Sequence, residues 1–113
     1  MKFSSRKAGK VTIIDLEGKI LLGDGDIEIK QTVDDLIRKG QTQILLNLAK
    51  VPYVDSAGLG EIIRCFTALR KGGGMLKLLA PNRRLLDLFT ITKLVNVFDC
   101  YEDEATALAS FSS

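Results

Sequence analysis

The sequence contains no histidine and no tryptophan, and only two cysteines and two prolines among 113 residues. Without an imidazole it cannot assemble a Ser-His-Asp or Cys-His catalytic pair or a His-ligated zinc or haem, and it lacks the usual general base for neutral pH. The two cysteines, Cys65 and Cys100, are too few for the common zinc ligand sets, so no metal is expected. Each lies in an apolar run, where a free buried thiol is commoner than a disulfide, and a reduced pair points to a cytoplasmic protein. No apolar run approaches the ~18 residues of a membrane span, and the basic start Met1-Lys2 is not followed by the apolar core of a signal peptide. The expectation is a soluble, unexported chain with no membrane span. Nucleic acid is disfavoured as a partner too. A net charge of +2 is a weak electrostatic footprint, and 6% aromatics without tryptophan offer no stacking platform.

What is present is globular. Hydrophobic residues at 46% and charged residues at 27% argue against both a disordered and a fibrous chain. For a mass of 12.4 kDa, surface scaling gives roughly 6,100 Å² accessible when folded against roughly 18,000 Å² unfolded, enough burial for one core without staples. No linker, repeat or low-complexity tract interrupts residues 1–113, which are read as a single domain. Charge is uneven: Lys2, Arg6, Lys7 and Lys10 open the chain, and Asp99, Glu102, Asp103 and Glu104 gather near its end. These blocks pair if the termini meet, and otherwise are solvated.

Val11 to Leu16 reads as a strand, and Lys19 to Leu22 as a second, antiparallel one after Gly18. Gly23-Asp24-Gly25-Asp26 is a turn whose acids can cap a helix. Ile29, Val33, Leu36 and Ile37 then recur at helical spacing until Gly40. Ile44 to Leu48 is a short apolar run suited to a central strand covered on both faces. A second helix carries Leu59, Ile62, Ile63, Phe66 and Leu69 and stops at Gly72-Gly73-Gly74. Met75 to Leu79 is a further strand, Leu85 to Phe89 a short helix, Val95 to Tyr101 a last strand and Asp103 to Phe111 a last helix. The alternation predicts an α/β fold, a mixed β-sheet flanked by α-helices with at least part of the sheet parallel.

The most informative passage runs from the central strand through Asp55-Ser56 into the second helix. In open α/β sheets, ligands and partners bind outside the carboxyl ends of the strands. Ser56 stands at the expected N-cap, where its hydroxyl would accept a backbone N–H. Gly58 and Gly60 come in the first turns, each costing roughly 1 kcal/mol relative to alanine in a helix. Two explanations stand: a bare turn that admits another molecule close to Ser56, or close packing of helix on strand. A nucleophile elbow fails because Val54 occupies its first glycine position and no histidine exists. A dinucleotide fingerprint fails at Ile63, and no phosphate-binding Gly-rich loop ending in Lys occurs. No catalytic residue and no cofactor is expected; an exposed serine without chemistry of its own looks like a substrate.

The string Asn47-Leu48-Ala49-Lys50-Val51-Pro52-Tyr53-Val54-Asp55-Ser56-Ala57-Gly58-Leu59-Gly60 closely resembles the signature of the STAS domain, in the branch of bacterial anti-sigma factor antagonists, and the similarity extends over nearly the whole chain. The resemblance implies a STAS-like domain, not an enzyme, that acts by partner switching. The unphosphorylated antagonist binds an anti-sigma factor serine kinase, phosphorylation of the serine matching Ser56 separates the pair, and a serine phosphatase resets it. Transcription is thereby regulated. A STAS scaffold, or an accessory subunit of a sensory or lipid-transport complex, is the alternative. The partner-binding face implied is Asp55, Ser56, Ala57, Gly58, Leu59 and Gly60, with Asp24 and Asp26 nearby and Glu61 and Arg64 at the rim; Glu61 and Arg64 also have the spacing of a simple surface pair. Two positions depart from the family pattern. Asn47 replaces the usual Asp and reads as a strand-end cap, and Leu22-Gly23-Asp24-Gly25-Asp26 replaces an Asp-containing segment with a Thr before the first helix, which would alter the choice of kinase.

Overall fold

Lys2–Ala8 (β1) and Val11–Glu17 (β2) pair antiparallel across a two-residue turn in the computed structural model, which describes residues 1–112. β2 is therefore the second strand of the opening hairpin and not, as its sequence suggests, the first. Gln43–Lys50 (β3), Met75–Leu79 (β4) and Cys100–Tyr101 (β5) add in parallel, in the order β1-β2-β3-β4-β5. The apolar run of β3 is central, as expected. Its Ile44, Leu46 and Leu48 join the core on one face of the sheet while Leu45 joins the cluster on the other, so both faces are apolar and no alternation shows.

The helices are Asp26–Arg38 (α1), Ser56–Lys71 (α2), Arg83–Ile91 (α3) and Glu104–Ser110 (α4). The larger core lies on one face of the sheet, where α1 contributes Ile29 and Val33, α2 Ile62, Cys65 and Leu69, and α3 Leu85 and Phe89. Phe98 joins them, edge-on to both Phe66 and Phe89. A smaller cluster on the other face, Val11, Ile13, Leu45 and Leu79, packs under Ala107 of α4. The folded surface is 6151 Å², as the scaling expectation requires.

Two expected strands are corrected. Lys19 to Leu22 makes only isolated bridges, Ile20 to Val54 and Leu21 to Asp24 and Gly25, and carries the loop over the end of the sheet. Val95 to Tyr101 yields a 3₁₀ turn at Leu94–Asn96 and only Cys100–Tyr101 as strand, because Val95 and Val97 face solvent and Phe98 alone is buried. The charge blocks pair in part: Arg6 bonds Glu104 and also Asp15 of β2. Lys77, buried in β4, donates to the carbonyl and hydroxyl of Ser110 at 3.1 and 2.9 Å and lies over the ring of Phe111, fastening the end of α4 to the sheet. Both cysteines are free. Burial raises both thiols, that of Cys100 to about 11, so neither is poised to react.

Candidate functional site

β3 delivers the chain, through Val51-Pro52-Tyr53-Val54, to the start of α2 at the carboxyl end of the parallel strands. The N-cap there is Asp55 and not Ser56. Its carboxylate accepts the Gly58 N–H at 2.8 Å and, with its second oxygen, the Leu22 N–H at 2.9 Å. These bonds hold the Asp55 carboxyl below its ordinary range. An aspartate fills the cap better here because its two oxygens serve two segments at once.

Ser56 is thereby displaced to the first residue of the helix. It is exposed, and its hydroxyl makes no hydrogen bond within the described residues. The two glycines differ in their surroundings. A Cβ on Gly58 would come within 2.5 Å of the Ile20 carbonyl oxygen and 2.9 Å of Val54 Cγ1, so only glycine lets α2 sit this close to the loop before α1. A Cβ on Gly60 would meet nothing within 4 Å. Close packing explains the first glycine, and no contact among the described residues requires the second. Ala57 is half-buried, and Leu59 is buried.

Asp24 lies on the loop that Leu22 ties to Asp55, and Asp26 opens α1 at the end of that loop. Asp26 accepts the Gly23 N–H at 2.9 Å, Asp24 accepts the amino terminus of Met1 at 3.2 Å, and Gly25 takes a φ of 103° to start α1. Both acids shape the loop, and Asp24 stays exposed. Glu61 and Arg64 do pair, at 2.7 Å, and Arg64 reaches on to Asp34 at 3.0 Å, joining α2 to α1. Glu61 also accepts from the Cys65 thiol, so this pair is built into the packing of α1 on α2.

Asn47 is engaged away from Ser56. Its amide donates to Asp15 at 2.7 Å and its carbonyl oxygen accepts the Ala49 N–H at 3.1 Å, so it does hold the end of β3. Asp15 is Asn47's partner in the β2–β3 register and is itself bound by Arg6. An aspartate at position 47 would set two carboxylates against each other there. Asp15 and Asn47 line a shallow groove over strands β1 to β3 that shares no residue with the groove beside Ser56.

That second groove is what sequence reading missed. It runs between α2 and α3 with a volume of about 520 Å³, and its walls include Tyr53, Leu59, Leu85, Leu88 and Ile91, with Ser56 at its border. Ile91 is 79% exposed, and Leu22, bonded through its backbone to Asp55, is 76% exposed. They are the most exposed large apolar side chains among the described residues, and both belong to segments that adjoin the start of α2. A hint was available: α3 carries Leu85, Leu86, Leu88, Phe89 and Ile91, more than one buried stripe needs.

The model of the STAS domain family matches residues 2–107. The chain belongs to the STAS domain family. Its relatives place it with the anti-sigma factor antagonists: it is 33% identical over 79 residues to a candidate antagonist of Thermotoga neapolitana, covering 70% of each chain. Against the anti-sigma-B factor antagonist of Bacillus subtilis it is 44% identical over 52 residues, 46% of this chain and 48% of that one. In fold, this STAS domain superposes on the crystal structure of a Thermotoga maritima candidate antagonist with a TM-score of 0.92, at 22% identity over 98% of this chain and 95% of that one. It is also similar to the antagonist SpoIIAA, solved in an unphosphorylated form (TM-score 0.76, 18% identity, 98% and 97% covered) and in a phosphorylated form (0.75, 20%, 96% and 99%). Among the described residues, no helix of the STAS domain is long and apolar enough to cross a membrane.

Proposed function

We propose that this protein is a non-enzymatic anti-sigma factor antagonist that works by partner switching, with Ser56 as its phosphoacceptor. The unphosphorylated face around α2 binds an anti-sigma factor that is also a serine kinase. The kinase transfers the γ-phosphoryl group of ATP to the Ser56 oxygen, ADP leaves, and the serine proton passes to a base on the kinase. A phosphatase then restores the hydroxyl by hydrolysis.

The observation that carries this reading is Ser56 itself: exposed, unbonded, and first in a 16-residue helix whose first turn holds no acid. The carboxylate beside it, Asp55, is a weakened base because its two oxygens accept two backbone N–H groups, and the chain has no histidine. The hydroxyl is available to another protein's machinery and inert to its own. A phosphate there adds about −1.5 to −2 charges at the edge of an apolar groove and next to Asp55, so a partner would have to desolvate that charge to dock. The relative solved both with and without phosphate supports the same switch.

The test is binding to the kinase recovered with the protein from its native cells. Ser56→Ala is expected to bind and never release when ATP is added, and Ser56→Asp to bind weakly. Binding indifferent to Ser56→Asp contradicts the proposal. Stable recovery in a membrane or multi-subunit complex, whatever the state of Ser56, would favour a scaffold or accessory role.

A further inference from the structure

The charged side chains that border the α2–α3 groove are Asp55, Arg84 and Asp87. Asp55 is occupied by the N–H groups of Gly58 and Leu22, and Asp87 is paired with Arg83 at 3.0 Å. Arg84 has no carboxylate partner among the described residues. Its guanidinium lies 4.5 Å from the centroid of the Tyr53 ring instead, three residues before Ser56 in the chain. Stacking on an aromatic face fixes where a guanidinium sits while leaving the N–H groups at its edge free to donate.

Resting on the reading of Ser56 as phosphoacceptor, we infer that Arg84 is the counter-ion of the Ser56 phosphate, so that modification draws a salt bridge across the groove from α2 to α3. A phosphoserine offers three strong acceptor oxygens, and a guanidinium matches two of them in parallel, a charge-assisted pairing stronger than bonds between neutral groups. The phosphate is then held by this chain's own cation. The groove that a partner would fill is bridged by an ion pair, and the one unpaired guanidinium on its wall is withdrawn from intermolecular contacts. Release therefore comes from closure of the apolar groove as well as from repulsion.

The experiment uses the full chain with phosphoserine encoded at position 56, so its outcome does not depend on whether a kinase modifies that residue. The second ionisation of the phosphate is followed by phosphorus NMR in this protein and in Arg84→Gln, Arg84→Lys and Arg83→Gln versions. Arg84→Gln should raise the apparent pKa by about half a unit or more, roughly a threefold change in proton affinity. Arg84→Lys should recover part of that shift, and Arg83→Gln, whose charge is already paired, should leave the titration in place. Arg84 is exposed, so its replacement leaves the core intact. An unchanged titration in Arg84→Gln, or an equal shift in Arg83→Gln, overturns the inference. Absence of kinase modification at Ser56 would instead overturn the phosphoacceptor reading and leave the measured pairing standing.

Discussion

Gly58 and Gly60 stand two residues apart and have opposite sensitivities. In Gly60→Ala the new methyl meets open space, and the helix recovers up to about 1 kcal/mol of propensity. In Gly58→Ala the methyl would have to displace the Ile20 backbone, an overpacking cost of about 1–3 kcal/mol set against the same propensity gain. Urea denaturation should show Gly60→Ala more stable than the parent and Gly58→Ala less so. If Gly60 is kept for access, the stabilised Gly60→Ala protein should nevertheless bind the kinase more weakly. A stabilised variant with unimpaired binding would show that the bare position serves no contact. Asp55 teaches a related lesson at the same scale. Ser56 looks like the cap from sequence because serine, aspartate and asparagine all cap well, and the choice depends on Leu22, a residue far away in sequence whose N–H also needs an acceptor.

At the scale of elements, the β2–β3 pair carries a pH-dependent contact. Asp15 is held below the ordinary carboxylate range, first by the Arg6 hydrogen bond and further by Asn47, against the opposing effect of burial. A carboxyl with a depressed folded pKa stabilises the fold above its unfolded value of ~3.9, and that contribution is lost as pH falls through the folded value. In Asn47→Asp the donated bond becomes a contact between two carboxylates, so stability at neutral pH should fall by about 1 kcal/mol or more. The deficit should shrink as acidification lets one carboxyl take a proton and donate again. Thermal melts of both proteins at pH 7 and near pH 5 check this; a deficit independent of pH would contradict the pairing. The helices and the central strands were legible because each buries one continuous apolar stripe or run. β1 was not, because an edge strand exposed along Lys2–Lys7 carries no hydrophobic pattern. Lys19 to Leu22 misled for the converse reason: Ile20 is apolar because it lies under Gly58, and Leu22 is apolar while pointing at no core. The site divides the same way. The segment proposed to carry the phosphoacceptor, Asp55 to Gly60, stands out as a string in the sequence, whereas Tyr53, Arg84, Leu88 and Ile91 line the same groove only through tertiary packing.

For the whole molecule, a net charge of +2 would fall close to zero on addition of about two negative charges. Under the proposed switch, the location of that charge, between an exposed leucine loop and an apolar groove, opposes docking more than the change in the total does. The missing histidine has a place in the same proposed switch, since the base and the nucleotide would belong to the partner kinase. The most direct test is to incubate the purified protein with ATP and the kinase with which it copurifies, then to locate phosphate by intact-mass and peptide mass spectrometry while monitoring the complex by size-exclusion chromatography. The account predicts one phosphate, on Ser56, and dissociation in step with its appearance. Phosphate on another residue, or a complex that persists after Ser56 is fully modified, would contradict it.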